Sequence, residues 1–470
     1  MSLRAVSPWL AIPLALLSLA FSPARQTPQA PSVKPQPPRI ASHVIVVSIS
    51  GFGADDGARP GDGRLRLPRL SALRGRGIYA VGVESVYPSL MNPAHTSIAT
   101  GVPPADHGVT GDYPFDEQSG AASDEPYWLA HQIKSETLWE AARRGGLTTA
   151  AVGYPVTAGA PITLNLPPVP AESHVRDHVS PPGLLAEISA ALQADAAAIV
   201  SPAADPVSAE KQDRLRAAAA AYLIEKHRPH LLMISLGAVA AAQRAHGPQS
   251  EQARAALEQA DALLGQISDA VERSAAAGET ALWVVSDHGS MRSETEFRPN
   301  VVLAKKGLLT VNGEGRITAW RAVARATGGA AAVFIKDPQD VKTAEEVEKL
   351  WREVHERPES PVWRVVTRRD AVRVGADPRA TLFLDAAPGY VFSSRATGST
   401  TGRAPARAAA GYLPQRSEMR AALVAAGRGL KTGAKIEHAR LIDLAPTVAR
   451  LLGLELRAAR GRVISEVIEP

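Results

Sequence analysis

The sequence predicts an α/β fold: a doubly wound, mostly parallel sheet flanked by helices, with a smaller α+β insertion. Three observations carry that reading. The runs His43–Ile49 and Leu282–Val285 are nearly continuous apolar stretches, as strands buried on both faces require. Each run stops at small, polar or acidic residues, Ser50-Gly51 and Ser286-Asp287-His288-Gly289, which places those side chains at the carboxyl rim where open α/β sheets bind ligands. Between the runs lie alanine-rich segments with helical periodicity, 182–196, 208–226 and Gln252–Ala277.

At 470 residues and 45% hydrophobic content, the chain can bury a large core. Its 52 basic and 47 acidic residues leave a formal charge of only +5, with no dense Lys/Arg tract interleaved with aromatics, so nucleic acid is not an expected partner. The absence of cysteine excludes disulfides and thiolate metal ligands, so any metal must be held by His, Asp or Glu.

The first residues carry Arg4, an apolar stretch from Trp9 to Phe21, then Ser22 and Ala24. That is the layout of a signal peptide over 1–24, and it predicts a periplasmic or secreted protein with no membrane contact beyond the export signal. An uncleaved N-terminal anchor is the alternative. Residues 25–39 are proline-rich and read as an extended linker to a folded domain over 40–468.

Further along, Leu67–Gly77 reads as a helix and Ala80–Val86 as a strand. Pro88 and Pro93 fix the approach to a helix expected from about Ala94 to Thr100, whose free N–H groups would favour an anion. The motif Pro104–Gly111 follows. Residues 295–400 alternate short strands and helices, including 331–335 and 343–356, and read as the smaller insertion.

The segments Val46–Gly51, Tyr87–Gly111, Leu231–Pro248, Val284–Gly289, Gly411–Pro414 and Ile442–Thr447, running on to Leu451–Gly453, together resemble the nucleotide pyrophosphatase/phosphodiesterase family of the alkaline phosphatase superfamily. The resemblance covers about 40–465. It implies an alkaline phosphatase-like domain with two zinc ions, a threonine that attacks phosphorus from a helix N-terminus, and a capping role for the insertion. Transferred position by position, it puts Met91 where the nucleophile belongs. Ser50, Ala240, Arg244 and Ala410 take metal-ligand positions, and only Asp287 and His288 remain as ligands. Thioether sulfur has little affinity for zinc and cannot form a phospho-enzyme, and a zinc site needs three or four protein ligands. His246, Ser50 and Ser89 are the nearby candidates to stand in.

The expectation is a pseudoenzyme that needs no cofactor and holds zinc weakly or substoichiometrically. Its residual cleft would bind a phosphate- or sulfate-bearing small molecule through Arg244, Asn92 and Ser50. Two alternatives stay open: a phosphoesterase with a rebuilt single-metal site on Asp287 and His288, and a structural envelope module with a vestigial cleft. Arg244 itself has a plainer reading, as a side chain that snorkels to solvent or pairs with Asp287. Oligomeric state is not legible.

Overall fold

Alternate residues of the central strands pack into two different apolar layers, which explains why their sequences are apolar throughout. Ile45, Val47, Ile49, Ile234, Leu236, Leu282 and Val284 enter one cluster; Val44, Val46, Leu231, Met233, Trp283 and Val285 enter the other. The computed structural model describes residues 37–58 and 65–469. The expected signal peptide, and the linker as far as Gln36, lie outside the described residues.

Eight strands form the main sheet, in the order Lys435–Ile436, Ile78–Ala80, Leu423–Gly427, Thr280–Val285, His43–Ile49, Leu231–Leu236, Thr149–Val152 and Leu164–Leu166. The last five run parallel to one another, and Leu423–Gly427 pairs antiparallel with its neighbours on both sides. Helices Pro206–Lys226 and Glu251–Arg273 supply Ala217, Ala220, Leu223, Leu257, Leu264 and Ile267 to the first layer. Helices Met91–Thr100, Leu138–Arg144 and Leu444–Leu451 supply Ala94, Ile98, Leu138, Trp139, Val448 and Leu451 to the second. A sheet covered on both faces by helices is the predicted fold class.

The helices fall close to their expected places, but the expected strand Ala80–Val86 is two short pieces, Ile78–Ala80 and Val83–Glu84. They join different partners, the former in the main sheet and the latter beside Ala439–Arg440.

Between Thr280–Val285 and Leu423–Gly427 the chain builds smaller sheets over residues 291–409. One is a four-stranded antiparallel sheet in the order Ala322–Ala326, Ala330–Ile335, Leu382–Ala386, Val362–Thr367. Its apolar cluster takes Val347, Leu350, Trp351 and Val354 from helix Val341–His355, and also Tyr87 and Phe115 from the earlier part of the chain. A second centres on Met291–Phe297, pairing with Gly389–Phe392, Thr401–Arg403 and Ala408–Ala409, and a third is the hairpin of Leu309–Val311 with Ile317–Trp320. The Ala408–Ala409 pairing brings Ala410 back beside the rim of the main sheet.

Candidate functional site

Register places the site. Ile49 lies opposite Leu236 and Ser48 opposite Val285, so the three adjacent strands end together and deliver Ser50, Gly237 and Asp287 to one edge. There the Asp287 carboxylate is fully buried and surrounded by donors. Ser50 Oγ donates to it over 2.7 Å, the Gly51 and His288 backbone N–H groups over 3.1 and 2.9 Å, and Ser286 Oγ over 3.3 Å. His288 Nε2 stands 3.3 Å and His95 Nδ1 3.7 Å from its Oδ2. Burial by itself would push this carboxyl up; the two imidazoles and the Ser50 and Gly51 hydrogen bonds outweigh it and hold it below the usual carboxylate range.

His288 faces oxygens with both ring nitrogens, Nε2 towards Asp287 and Nδ1 to the Gly289 carbonyl at 2.7 Å. Gly289 is required by its surroundings. A Cβ on it would lie 1.9 Å from the Glu418 carbonyl oxygen, so the residue permits two backbones to touch.

The helix expected from Ala94 starts three residues earlier, at Met91, after Leu90 in extended conformation. Pro93 is tolerated in this first turn because an N–H there has no intrahelical acceptor to lose. Met91, 40% exposed, therefore sits on the helix end itself, the residue that the resemblance sets at the nucleophile position. The next N–H, of Asn92, is bonded to Asp112 Oδ1 at 3.0 Å, while the Asn92 side-chain amide donates to the Asp112 and Tyr127 carbonyls at 3.2 and 3.0 Å. Burial raises the Asp112 carboxyl above its usual range, against the opposing pull of the Asn92 N–H, His288 and Arg325.

Beside the buried Asp287 lies a cleft of about 740 Å³ that has Ser50, Met91, Asp112, Arg244, His288 and Ala410 among its walls. Ala240 lines it too. Arg244 is exposed on helix Ala238–His246 and makes no ion pair with Asp287 or, among the described residues, with any other group. Of the three expected anion contacts, it alone keeps its donors free. Ser50 spends its hydroxyl proton on Asp287, and Asn92 spends both its N–H and its amide internally, so both are corrected from ligand contacts to scaffold.

The stand-ins do not help. His246 is exposed at the helix end and outside the cleft lining, and Ser89 is fully buried with its hydroxyl shared between the Val86 and Tyr412 carbonyls. Alanine offers no ligand atom, guanidinium repels a cation, and among the described residues no group of three or more His, Asp or Glu side chains is placed to hold a metal ion. The donor set does not fit a two-zinc centre.

Sequence reasoning missed Asp112 altogether, although it follows directly on the quoted motif ending at Gly111. It also left His95 without a role. The signal for Asp112 was only its adjacency to a glycine-rich loop that returns to the helix N-terminus.

Comparison with known proteins bears on the family and the fold. The family model for type I phosphodiesterase / nucleotide pyrophosphatase matches residues 44–411. The human ectonucleotide pyrophosphatase/phosphodiesterase family member 1 is 24% identical over 270 residues, 56% of this chain and 24% of that protein. An uncharacterized pyrophosphatase/phosphodiesterase of Schizosaccharomyces pombe is 24% identical over 256 residues, 53% of this chain and 44% of that protein. The chain thus spans about a quarter of the mammalian relative's length and under half of the yeast one's. Among solved structures, murine ectonucleotide pyrophosphatase / phosphodiesterase 5 superposes with a TM-score of 0.64 at 16% identity, covering 91% of this chain and all of that one. An inactive variant of the same murine protein, in complex with AMP, matches equally well.

Proposed function

Because the chain belongs to the type I phosphodiesterase / nucleotide pyrophosphatase family, we propose that it is a non-catalytic member whose cleft binds an anion-bearing small molecule through Arg244. The observation that carries the reading is the cleft itself: Met91 where an attacking hydroxyl belongs, Ala240 and Ala410 where ligand atoms belong, and one unpaired guanidinium projecting among them. With no hydroxyl at Met91 and no full ligand set for a metal among the described residues, the step that makes the family hydrolases has no agent at this cleft. An arginine fork still matches phosphate or sulfate.

The survival of Asp287 and His288 side by side favours one rival, a hydrolase with a single metal on that pair and water as nucleophile. Metal analysis of the purified protein, beside hydrolysis of a nitrophenyl phosphodiester, separates the two. The expected result is no stoichiometric zinc and no turnover above an Asp287→Ala control; tightly bound zinc with turnover would overturn the proposal. Phosphate and AMP, the latter chosen because the murine relative was solved with it, should each raise the melting temperature of the parent but not of Arg244→Ala.

The same proposal places the mature protein in the periplasm or outside the cell, beginning near Arg25. Among the described residues no helix is long and apolar enough to cross a membrane. N-terminal sequencing that finds Met1 retained on envelope-extracted protein would replace export and release with anchoring.

A further inference from the structure

The seat for an anion at the start of helix Met91–Thr100 is already taken. A helix N-terminus attracts negative charge through its free N–H groups, and in this chain the Asn92 N–H is held at 3.0 Å by the carboxylate of Asp112. The arrangement is built rather than incidental. The Asn92 amide clasps the Asp112 carbonyl, fixing the loop from which the carboxylate reaches back. The buried Arg325 guanidinium passes so close to Gly111 that a Cβ there would lie 2.3 Å from its Nη2. Asp112 Oδ1 faces the helix, while Oδ2 has no hydrogen-bond partner among the described residues.

A dianionic phosphate placed against this helix end would therefore meet a carboxylate, in a cleft where water screens it less than in bulk. The same carboxylate is a good partner for an ammonium group, which would in turn favour its ionised form. Arg244, on another element, lines the same cleft of about 740 Å³ and has its donors free. The walls thus present one negative and one positive contact to the same small molecule.

We infer that the cleft selects zwitterionic ligands: an organic ammonium at Asp112 and a phosphate or other anionic group at Arg244. The inference rests on the reading of Arg244 as an anion contact and names the ligand class that reading leaves open.

Two probes, 2-aminoethyl phosphate and ethyl phosphate, differ by the ammonium group alone. Their affinities are measured by calorimetry and thermal shift, in chelator at mildly alkaline pH. The full chain, Asp112→Asn and Arg244→Ala are compared, with circular dichroism to confirm that each variant is folded. The parent should bind the amino ester at least about tenfold more tightly, the factor for one charge-assisted contact in a partly protected site. In Asp112→Asn, which keeps an oxygen for the Asn92 N–H, the preference should fall to threefold or less (roughly a third of the parent's). Arg244→Ala should weaken both esters.

Equal or tighter binding of ethyl phosphate by the parent overturns the inference and leaves the anion-site proposal standing. An unchanged preference in folded Asp112→Asn overturns it as well. Binding of neither ester overturns it together with the anion-site proposal. Because the parent's own preference is the first readout, the test does not depend on the variant's folding.

Discussion

Asp287 holds the rim together as a hydrogen-bond hub, and its removal should cost stability even when no metal can be present. Asp287→Ala would strip the acceptor from two buried backbone N–H groups, of Gly51 and His288, and from the Ser50 hydroxyl, at present bonded over 3.1, 2.9 and 2.7 Å. Each buried donor left unpaired costs about 1–3 kcal/mol. His288 and His95 would also lose the carboxylate they face at 3.3 and 3.7 Å. Releasing the carboxylate from its own desolvation offsets part of this. Breaking a buried charged cluster by removing one member typically costs about 3–5 kcal/mol, which is our expected net loss and a large share of the about 5–15 kcal/mol that holds a domain folded.

Asp287→Asn keeps one acceptor oxygen for the N–H pair and turns an amide towards Ser50 Oγ, which can then accept. About 1–2 kcal/mol is expected for it. The assay is urea unfolding near neutral pH in the presence of a chelator, comparing midpoints at constant slope. If Asp287 were there only to bind metal, chelated parent protein would carry an uncompensated buried charge. Its removal would then leave stability unchanged or raise it. An Asp287→Ala midpoint equivalent to within about 0.5 kcal/mol of the parent would refute the hub.

Two further outcomes follow from the same structure. His107 is fully buried with Nδ1 accepting the Val109 N–H and Nε2 against Ser97 Oγ, and burial pushes its pKa from 6.5 down to about 3. Since the unfolded chain takes up the proton and the folded one does not, this site's stability is complete above pH 6.5 and declines as pH falls towards 3. That is about 2 kcal/mol lost over the first 1.5 pH units below 6.5, and a folded His107→Gln variant should show a correspondingly flatter urea midpoint over that range. Gly289→Ala should be destabilised by about 1–3 kcal/mol or more, because the new methyl meets a backbone carbonyl that cannot rotate away; a variant melting with the parent would mean the 418–420 segment shifts freely.

Some of this protein was readable from its residues alone. Continuous apolar runs at 43–49 and 282–285 specified strands buried on both faces, because only a sheet covered by helices removes every side chain of such a run from water. A strand that stops at Ser50 or at Asp287-His288 must present those residues at the rim, so the site's location followed as well. Which residue types stand at Met91, Ala240, Arg244 and Ala410 is a matter of sequence, and the cleft does contain those four side chains. What the sequence could not supply is who bonds to whom. Ser50 and Asp287 are 237 residues apart, yet their 2.7 Å bond turns an expected ligand into scaffold. Gly289 owes its identity to the Glu418 carbonyl, which no local turn preference reveals. Asp112 reaches the start of a helix 20 residues earlier and fills the seat an outside anion would have used. Periodicity and composition report how much of a side chain is buried; partners are decided only when strand register and loop return bring distant donors and acceptors within about 3 Å, the range over which a hydrogen bond acts.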